Sequence, residues 1–186
     1  MRAKRIIVAG GSGFMGSVLS AHFTKRGSQV IVLTRSRSGS RNGVEFVHWD
    51  GQSDGDWIRS LEGSDAVLNF TGRSVNCRYT AQNRREILDS RVLPTLALGR
   101  ALAKLDRPPP VWLNAATATI YKHSLTQSMD ESGEIGGTRE AKDEFSVEVA
   151  QAWEAALNEI QPRGVRSEEH TSELQSPCNL VCRLLL

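Results

Sequence analysis

Cysteine is scarce in this chain of 186 residues: three are present, and Cys178 and Cys182 fall in a C-terminal segment that reads as foreign to the rest. That leaves Cys77, which supports no disulfide framework and fits a reducing compartment with a free thiol. A dominant charge sign is missing too. Lys and Arg number 23 against 21 Asp and Glu, a net charge of +2, which is too weak to argue for a nucleic-acid partner. Long apolar runs are absent. Leu184 to Leu186 is far too short to span a bilayer, and Ile6 to Ala9 is too brief for the apolar core of a signal peptide. Neither an internal repeat nor a low-complexity segment occurs. These absences predict a soluble, cytoplasmic protein, one domain by length, with neither nucleic acid nor membrane as partner.

The foreign segment begins near Arg166. Arg166 to Ser176 reads Arg-Ser-Glu-Glu-His-Thr-Ser-Glu-Leu-Gln-Ser, which resembles the translation of a common short-read sequencing adapter. Asn179 to Leu186 matches the downstream constant region of that adapter in the same frame, and Pro177 and Cys178 fill the barcode gap. Residues 166–186 are therefore read as a non-native, adapter-derived tail and set aside from fold reasoning; Arg166 itself could belong to either side. The Cys178, Cys182 and His170 group, which has the residue types of a metal site, is an artefact on this reading, and no metal is expected. Taking the tail's two basic residues (Arg166, Arg183) and three acidic ones (Glu168, Glu169, Glu173) from 23 and 21 leaves 21 against 18, or +3. The tail is expected to dock nowhere, to form at most a short helix at Glu168 to Leu174, and to leave the strand at 110–115 as an open edge.

What the chain does have is a glycine cluster in a telling place. Ile6 to Gly16 reads Ile-Ile-Val-Ala-Gly-Gly-Ser-Gly-Phe-Met-Gly, an apolar β-branched run that stops at glycines and passes into a helix-like stretch. Two spacings coexist, Gly11-x-Gly13-x-x-Gly16 and Gly10-x-x-Gly13-x-x-Gly16. In a dinucleotide fingerprint one glycine makes the turn, one lets the backbone approach a pyrophosphate, and one lets helix pack on strand. The phosphates then meet free N–H groups and the positive end of the helix dipole. Gly10, Gly11, Ser12, Gly13, Phe14, Met15 and Gly16 are accordingly candidate cofactor-binding residues.

Apolar runs alternate with helical patterns along the rest of the chain, the mark of a parallel sheet covered on both faces. Strands are expected at 5–9, 29–33, 44–48, 65–70 and 110–115, and helices at 14–26, 55–61, 80–105 and 140–160. Pro94 should bend or split the third helix. Ser36 to Asn42 reads as a polar loop. Trp49, Trp57, Trp112 and Trp153 each lie in an amphipathic pattern and read as core anchors.

The end of the second strand decides between cofactors. A carboxylate there would bind the ribose 2′-hydroxyl of NAD, but the sequence is Thr34-Arg35-Ser36-Arg37. A guanidinium in that place pairs with a 2′-phosphate through charge-assisted, often bidentate hydrogen bonds, so NADP is favoured over NAD.

Four segments together resemble one family. Gly10 to Gly16, Asp65 to Gly72 (Asp-Ala-Val-Leu-Asn-Phe-Thr-Gly), Arg84 to Val92 (Arg-Arg-Glu-Ile-Leu-Asp-Ser-Arg-Val) and Trp112 to Tyr121 (Trp-Leu-Asn-Ala-Ala-Thr-Ala-Thr-Ile-Tyr) are similar to the extended short-chain dehydrogenase/reductases. Within them the match is to the atypical branch called the NAD(P)-dependent epimerase family, sugar-nucleotide epimerase-like, over residues 4–165. The resemblance implies an α/β fold, a Rossmann-like doubly wound parallel sheet, here truncated after its fifth strand and the helix that follows. It implies that Asn69, Thr71 and Gly72 face the cofactor and that Thr117 hydrogen-bonds the substrate oxygen. It also implies a substrate-binding portion beyond residue 165, so that residues 1–165 form an incomplete NAD(P)-binding domain.

The departures bear on chemistry. The superfamily's catalytic Tyr-x-x-x-Lys occurs nowhere in the chain; the corresponding stretch is Phe145-Ser146-Val147-Glu148-Val149, and Arg91 stands in place of the superfamily's helix asparagine. A carbonyl reduction or epimerisation still needs a proton-transfer group. Tyr121, beside Lys122 and His123, is the remaining candidate; a packing role beside the nicotinamide ribose is equally open to it. Three functions compete: an NADP-dependent oxidoreductase or epimerase acting on a sugar-nucleotide-like or small carbonyl substrate, a non-catalytic NADP-binding sensor, and an inactive truncated chain.

Overall fold

In a computed structural model, residues 3–126 and 132–171 are described, with 168–171 described by backbone alone. The sheet grows from β1 (Arg5–Ala9), whose Ile6-Ile7-Val8-Ala9 is buried on both faces, as a central parallel strand should be. β2 (Gln29–Thr34), β4 (Val44–His48), β5 (Ala66–Asn69), β6 (Val111–Ala116) and β7 (Arg166–Thr171) join it in parallel, and with the short β3 (Gly39–Arg41) at one edge the spatial order is β3-β4-β2-β1-β5-β6-β7. Register carries the layering. Ile7, Ala9, Ile31, Leu33 and Val67 pack with Ala97, Leu98, Ala101 and Leu157, which come from α2 (Ala81–Leu102) and α3 (Glu144–Glu159). Their neighbours Ile6, Val8, Val30, Val32 and Leu68 pack on the other face with Leu19 and Phe23 of α1 (Phe14–Lys25). Strand alternation thus feeds helices on both faces, which is a Rossmann-like doubly wound arrangement. The tryptophans behave as core anchors: all four are buried, and Trp49 and Trp57 meet at 4.7 Å between ring centroids.

Four expectations need correction. The polar stretch 36–42 is not wholly a loop: β3 (Gly39–Arg41) pairs antiparallel with β4 across Asn42-Gly43. Both turn residues have positive φ (53° and 75°), the conformation in which Asn-Gly is the favoured two-residue hairpin connection. The helix expected at 55–61 is a 3-10 turn, Asp56–Ser60. Pro94 does not split α2; it is buried within one continuous helix, and its missing N–H leaves the carbonyl four residues earlier without a helical donor.

The fourth correction concerns the C-terminal segment. Arg166–Thr171 is a strand, not a helix, and pairs with β6 from Val111↔Arg166 to Ala116↔Thr171, so the β6 edge is covered. A β-ladder is made by main-chain groups, so an extended segment following α3 can take that edge even with the polar sequence Arg-Ser-Glu-Glu-His-Thr. The remainder of the expected helix, 172–174, lies outside the described residues. Among the described residues no helix is long and apolar enough to cross a membrane.

Candidate cofactor and substrate site

The carboxyl ends of β1, β2, β4 and β5 open onto a cleft of about 820 Å³. In open α/β sheets this is the edge where ligands bind. The turn from β1 into α1 forms its floor. Gly10 has φ 74° and leans on the Phe70–Thr71 backbone, where an added Cβ would stand 2.6 Å from the Phe70 carbonyl oxygen. At Gly16 an added Cβ would run into the Gly11 Cα and lie 2.8 Å from the Gly10 oxygen, so this glycine permits helix to meet turn. Gly13 differs. Its added Cβ would meet only the Gly10 oxygen, at 3.4 Å, and the residue lines the cleft; the space a side chain would fill there is open for a ligand. Gly13 is also the N-cap of α1, with no side-chain cap and no acidic residue in the first turn. An anion would therefore meet the uncompensated positive end of that helix.

Of the residues expected to bind cofactor, Gly10, Ser12, Gly13, Thr34, Arg35, Thr71 and Gly72 line this cleft. Arg35 is exposed and has no side-chain hydrogen bond or ion pair among the described residues, leaving its fork of donors available. Gly11 and Gly16 shape the turn from behind, and Phe14 points to solvent at 80% exposure. Met15 is half-buried, outside the lining residues. Ser36 serves the local backbone: its N–H donates to Thr34 Oγ1 (3.2 Å), and its carbonyl lies 3.2 Å from His48 Nδ1. Arg37 is exposed and lies outside the cleft.

Asn69 takes a role the sequence does not announce. It is fully buried and serves as a hub beneath the cleft instead of lining it. Its Oδ1 accepts from the Thr71 N–H (3.1 Å) and the Thr71 hydroxyl (2.7 Å). Its Nδ2 donates to Asn114 Oδ1 (2.6 Å) and Thr95 Oγ1 (3.0 Å). Thr95 Oγ1 also accepts from Trp153 Nε1 (3.1 Å) and donates to the Arg91 carbonyl (2.8 Å). β5, β6, α2 and α3 are thereby tied together under the Thr71 loop. Fully satisfied buried networks of this kind hold a backbone in one position.

Several cleft residues escape sequence reasoning. Trp49, Asp50, Gly51 and Gln52 follow β4, while Arg73 and Ser74 extend the β5 loop. Asp50 accepts backbone N–H groups from Ser53 (2.9 Å) and Gln52 (2.8 Å), and these bonds, that from Ser53 foremost, hold its carboxyl below the usual carboxylate range. From α2 come Glu86, Asp89, Ser90, Leu93 and Pro94, with Arg73 paired to Glu86. The available signal was positional: a turn after any parallel strand of this sheet ends at the ligand edge. Arg91 is half-buried. Its guanidinium packs against Gly72, faces the Trp153 ring at 5.4 Å, and donates to the Ile87 carbonyl at 3.0 Å. Burial pushes its pKa down from the ordinary arginine value, opposed by a smaller influence of Tyr79.

Thr117 and Tyr121 flank one 3-10 turn, Ala118–Ile120, at the end of β6, and neither lines the cleft. The Thr117 hydroxyl caps that turn by accepting from the Thr119 N–H (3.3 Å) and lies 3.0 Å from the Thr119 hydroxyl. Tyr121 makes an isolated antiparallel bridge with Ile135. α3 begins with Glu144-Phe145, so the helix start holds neither tyrosine nor lysine.

Comparison with known proteins agrees with this architecture. The model of the NAD dependent epimerase/dehydratase family matches residues 6–144. The epimerase family protein SDR39U1 of Bos taurus is 30% identical over 155 residues, covering 82% of this chain and 48% of that protein. The epimerase family protein YfhF of Bacillus subtilis is 26% identical over 163 residues, covering 87% and 52% respectively. The crystal structure of human epimerase family protein SDR39U1 (isoform 2) with NADPH superposes with a TM-score of 0.73 at 28% identity, over 89% of this chain and 52% of that one. The chain spans about half the length of the curated relatives it matches.

Proposed function

This chain belongs to the NAD dependent epimerase/dehydratase family, and from that premise we propose that it is the cofactor-binding part of an NADP-dependent oxidoreductase or epimerase. The observation that carries the reading is the cleft itself, where the Gly10–Gly13 turn and Arg35, which has no ion pair among the described residues, share one edge. In this reading the backbone of Ser12 and Gly13 and the first turn of α1 receive the pyrophosphate. Arg35 grips the 2′-phosphate from the end of β2, helped by Thr34. Leu33, Phe70, Leu93 and Pro94 supply apolar walls for a flat ring. Bound NADP would accept or return a hydride. Thr117 and Tyr121, at the end of β6 and outside the cleft lining, would hold the oxygen of a sugar-nucleotide-like or small carbonyl substrate and move its proton. NADPH in the human SDR39U1 crystal supports the choice of cofactor.

A second reading has its own support. Neither tyrosine nor lysine stands at the start of α3, and the Thr117 hydroxyl is engaged with Thr119. Both fit a protein that binds NADP without turning it over, as a sensor would. A cytoplasmic setting, with a small molecule and not a nucleic acid as partner, fits either reading. The adapter match further leads us to propose that residues 166–186 are not native to the protein.

Titrating NADPH and NADH against wild type and Arg35→Asp tests the cofactor assignment. Wild type should prefer NADPH. The variant should lose about tenfold or more of its NADPH affinity, as expected for one charge-assisted contact, while NADH binding changes little. Equal affinities in wild type would overturn the assignment. Oxidation of NADPH against a panel of carbonyl compounds separates enzyme from sensor.

A further inference from the structure

The cofactor reading leaves a second cleft of about 400 Å³, between the start of α2 and the start of α3, without a role. At its centre of interest is Arg84. The guanidinium stands 4.5 Å from the centroid of the Phe145 ring and 5.6 Å from that of Tyr79, and the two rings meet edge to face at 5.4 Å. Among the described residues this guanidinium has no side-chain hydrogen bond or ion pair. Arg139 and Lys142 also line the cleft; Glu144 and Glu148 oppose them, leaving one positive charge in excess. Lys142 is held with φ at 52°, an uncommon backbone state for a lysine. The turn that holds it is closed by the Lys142 N–H donating to the Thr138 carbonyl (3.0 Å) and the Thr138 N–H donating to Asp143 Oδ1 (2.8 Å).

Aromatic faces fix the plane of a guanidinium without using any of its N–H donors. An arginine with a purely structural role would give those donors to the protein, as Arg91 does to the Ile87 carbonyl. Arg84 instead presents a pre-oriented, unused fork, the geometry that grips a carboxylate or phosphate by two parallel hydrogen bonds. The starts of α2 and α3 follow β5 and β6, so this cleft opens at the same carboxyl edge of the sheet as the cofactor cleft. The loop leaving Tyr121 returns through Ile135 and runs into the turn that carries Arg139 and Lys142.

We propose that this second cleft is an oxyanion subsite in which Arg84, supported by Arg139 and Lys142, holds a carboxylate or phosphate group of the substrate. The assignment to a substrate rests on the NADP reading above; the anion site itself does not. The test follows the arginine Nε–H signals by NMR while the chain is titrated with sodium phosphate or sodium succinate, with sodium chloride at matched ionic strength as the control. The Arg84 signal, identified by its loss in Arg84→Lys, should shift saturably with phosphate or succinate and not with chloride. Arg84→Lys, folded by circular dichroism, should bind the preferred anion about tenfold more weakly. Its NADPH affinity should stay within about twofold of wild type, because Arg84 does not line the cofactor cleft and its side chain shares no hydrogen bond or ion pair with the described residues that do. The stronger of the two probes identifies the group the subsite takes. A signal that merely drifts, equally with chloride, overturns the subsite, as does undiminished anion binding by the variant. Saturable, Arg84-dependent binding in a chain that fails to bind NADPH would uphold the anion site and remove the cofactor reading instead.

Discussion

The two ends of the ligand edge are built by different means. At the β1–α1–β2 end, the glycine turn is wedged between fully buried strands, and a side chain at Gly10, Gly11 or Gly16 would collide with backbone or core. At the β6 end, the site candidates stand on a 3-10 turn and a returning loop held by local contacts: Thr117 to Thr119, the Tyr121–Ile135 bridge, and Lys122 paired with Glu134. One end is held by packing on every side, while at the other the turn is anchored by the buried Ile120 and its flanking residues rest on local polar contacts. On the proposed reading, binding geometry belongs to the first, and chemistry can vary at the second without disturbing the sheet.

The glycines offer the sharpest test of that contrast. Gly13→Val should abolish cofactor binding in a chain that still folds, because the new side chain enters open cleft and meets only the Gly10 oxygen. Gly16→Val should fail earlier, since even its Cβ collides with the Gly11 backbone; overpacking of this kind costs about 1–3 kcal/mol or more. Calorimetry with NADPH, paired with thermal melts, distinguishes the two. If both variants fold and bind alike, the first end is not held by packing.

At the second end the expected effect is confined to rate. If Tyr121 moves the substrate proton, Tyr121→Phe in the full-length protein should slow turnover by about 10²–10⁴-fold with cofactor affinity nearly unchanged. Normal turnover would return Tyr121 to a packing role, and no turnover in wild type would favour the sensor.

Much of the first end was legible in the sequence. A strand ending in glycines, a helix after it and a second strand followed by Arg35 are local patterns, read in order along the chain. Asn69 was expected to face the cofactor, and its place as a hub was not legible, since Thr95, Asn114 and the Trp153 that donates to Thr95 come together only when α2, β6 and α3 pack. Of the bend or split expected at Pro94, the split is absent, because the proline's helix propensity is outweighed by its burial in the folded chain. Asn42-Gly43 was a readable hairpin signal lost in a polar stretch. The second cleft was not readable at all: Tyr79 and Phe145 are far apart in the chain, and their contact is purely tertiary.

The Asn69 hub ties the Thr71 loop, on which Gly10 leans, to β6, so breaking it should have a moderate effect on stability and on the cleft. Asn69→Ala leaves buried groups of Asn114 and Thr71 without their partner, a loss of about 1–3 kcal/mol in stability. Thr71 is also released, so NADPH affinity should fall along with the melting temperature. A melting temperature that drops while affinity holds would show that the Thr71 loop is positioned by something else.

The smallest effect on binding should come from the outermost strand. β1 and β7 share one parallel sheet, yet β1 is a run of buried aliphatic residues, and β7 reads Arg-Ser-Glu-Glu-His-Thr. Parallel strands draw their stability from apolar faces covered by helices, and an edge strand lacking them is held chiefly by its ladder. Main-chain amides of residues 167–171 should therefore exchange with solvent orders of magnitude faster than those of Ile6 to Ala9, in the regime of local opening. Among the described residues, none that lines the proposed cofactor cleft comes from β7. Ending the chain at Val165 should accordingly leave NADPH affinity within about twofold, since sites without shared partners act independently. The shortened chain re-exposes the β6 edge, so aggregation is the cost to watch, and measurements at low protein concentration avoid it. Slow exchange across 167–171, or a cofactor affinity that collapses with the strand, would mean that this segment is packed into the domain as a native element. The adapter reading of the tail would then have to be given up.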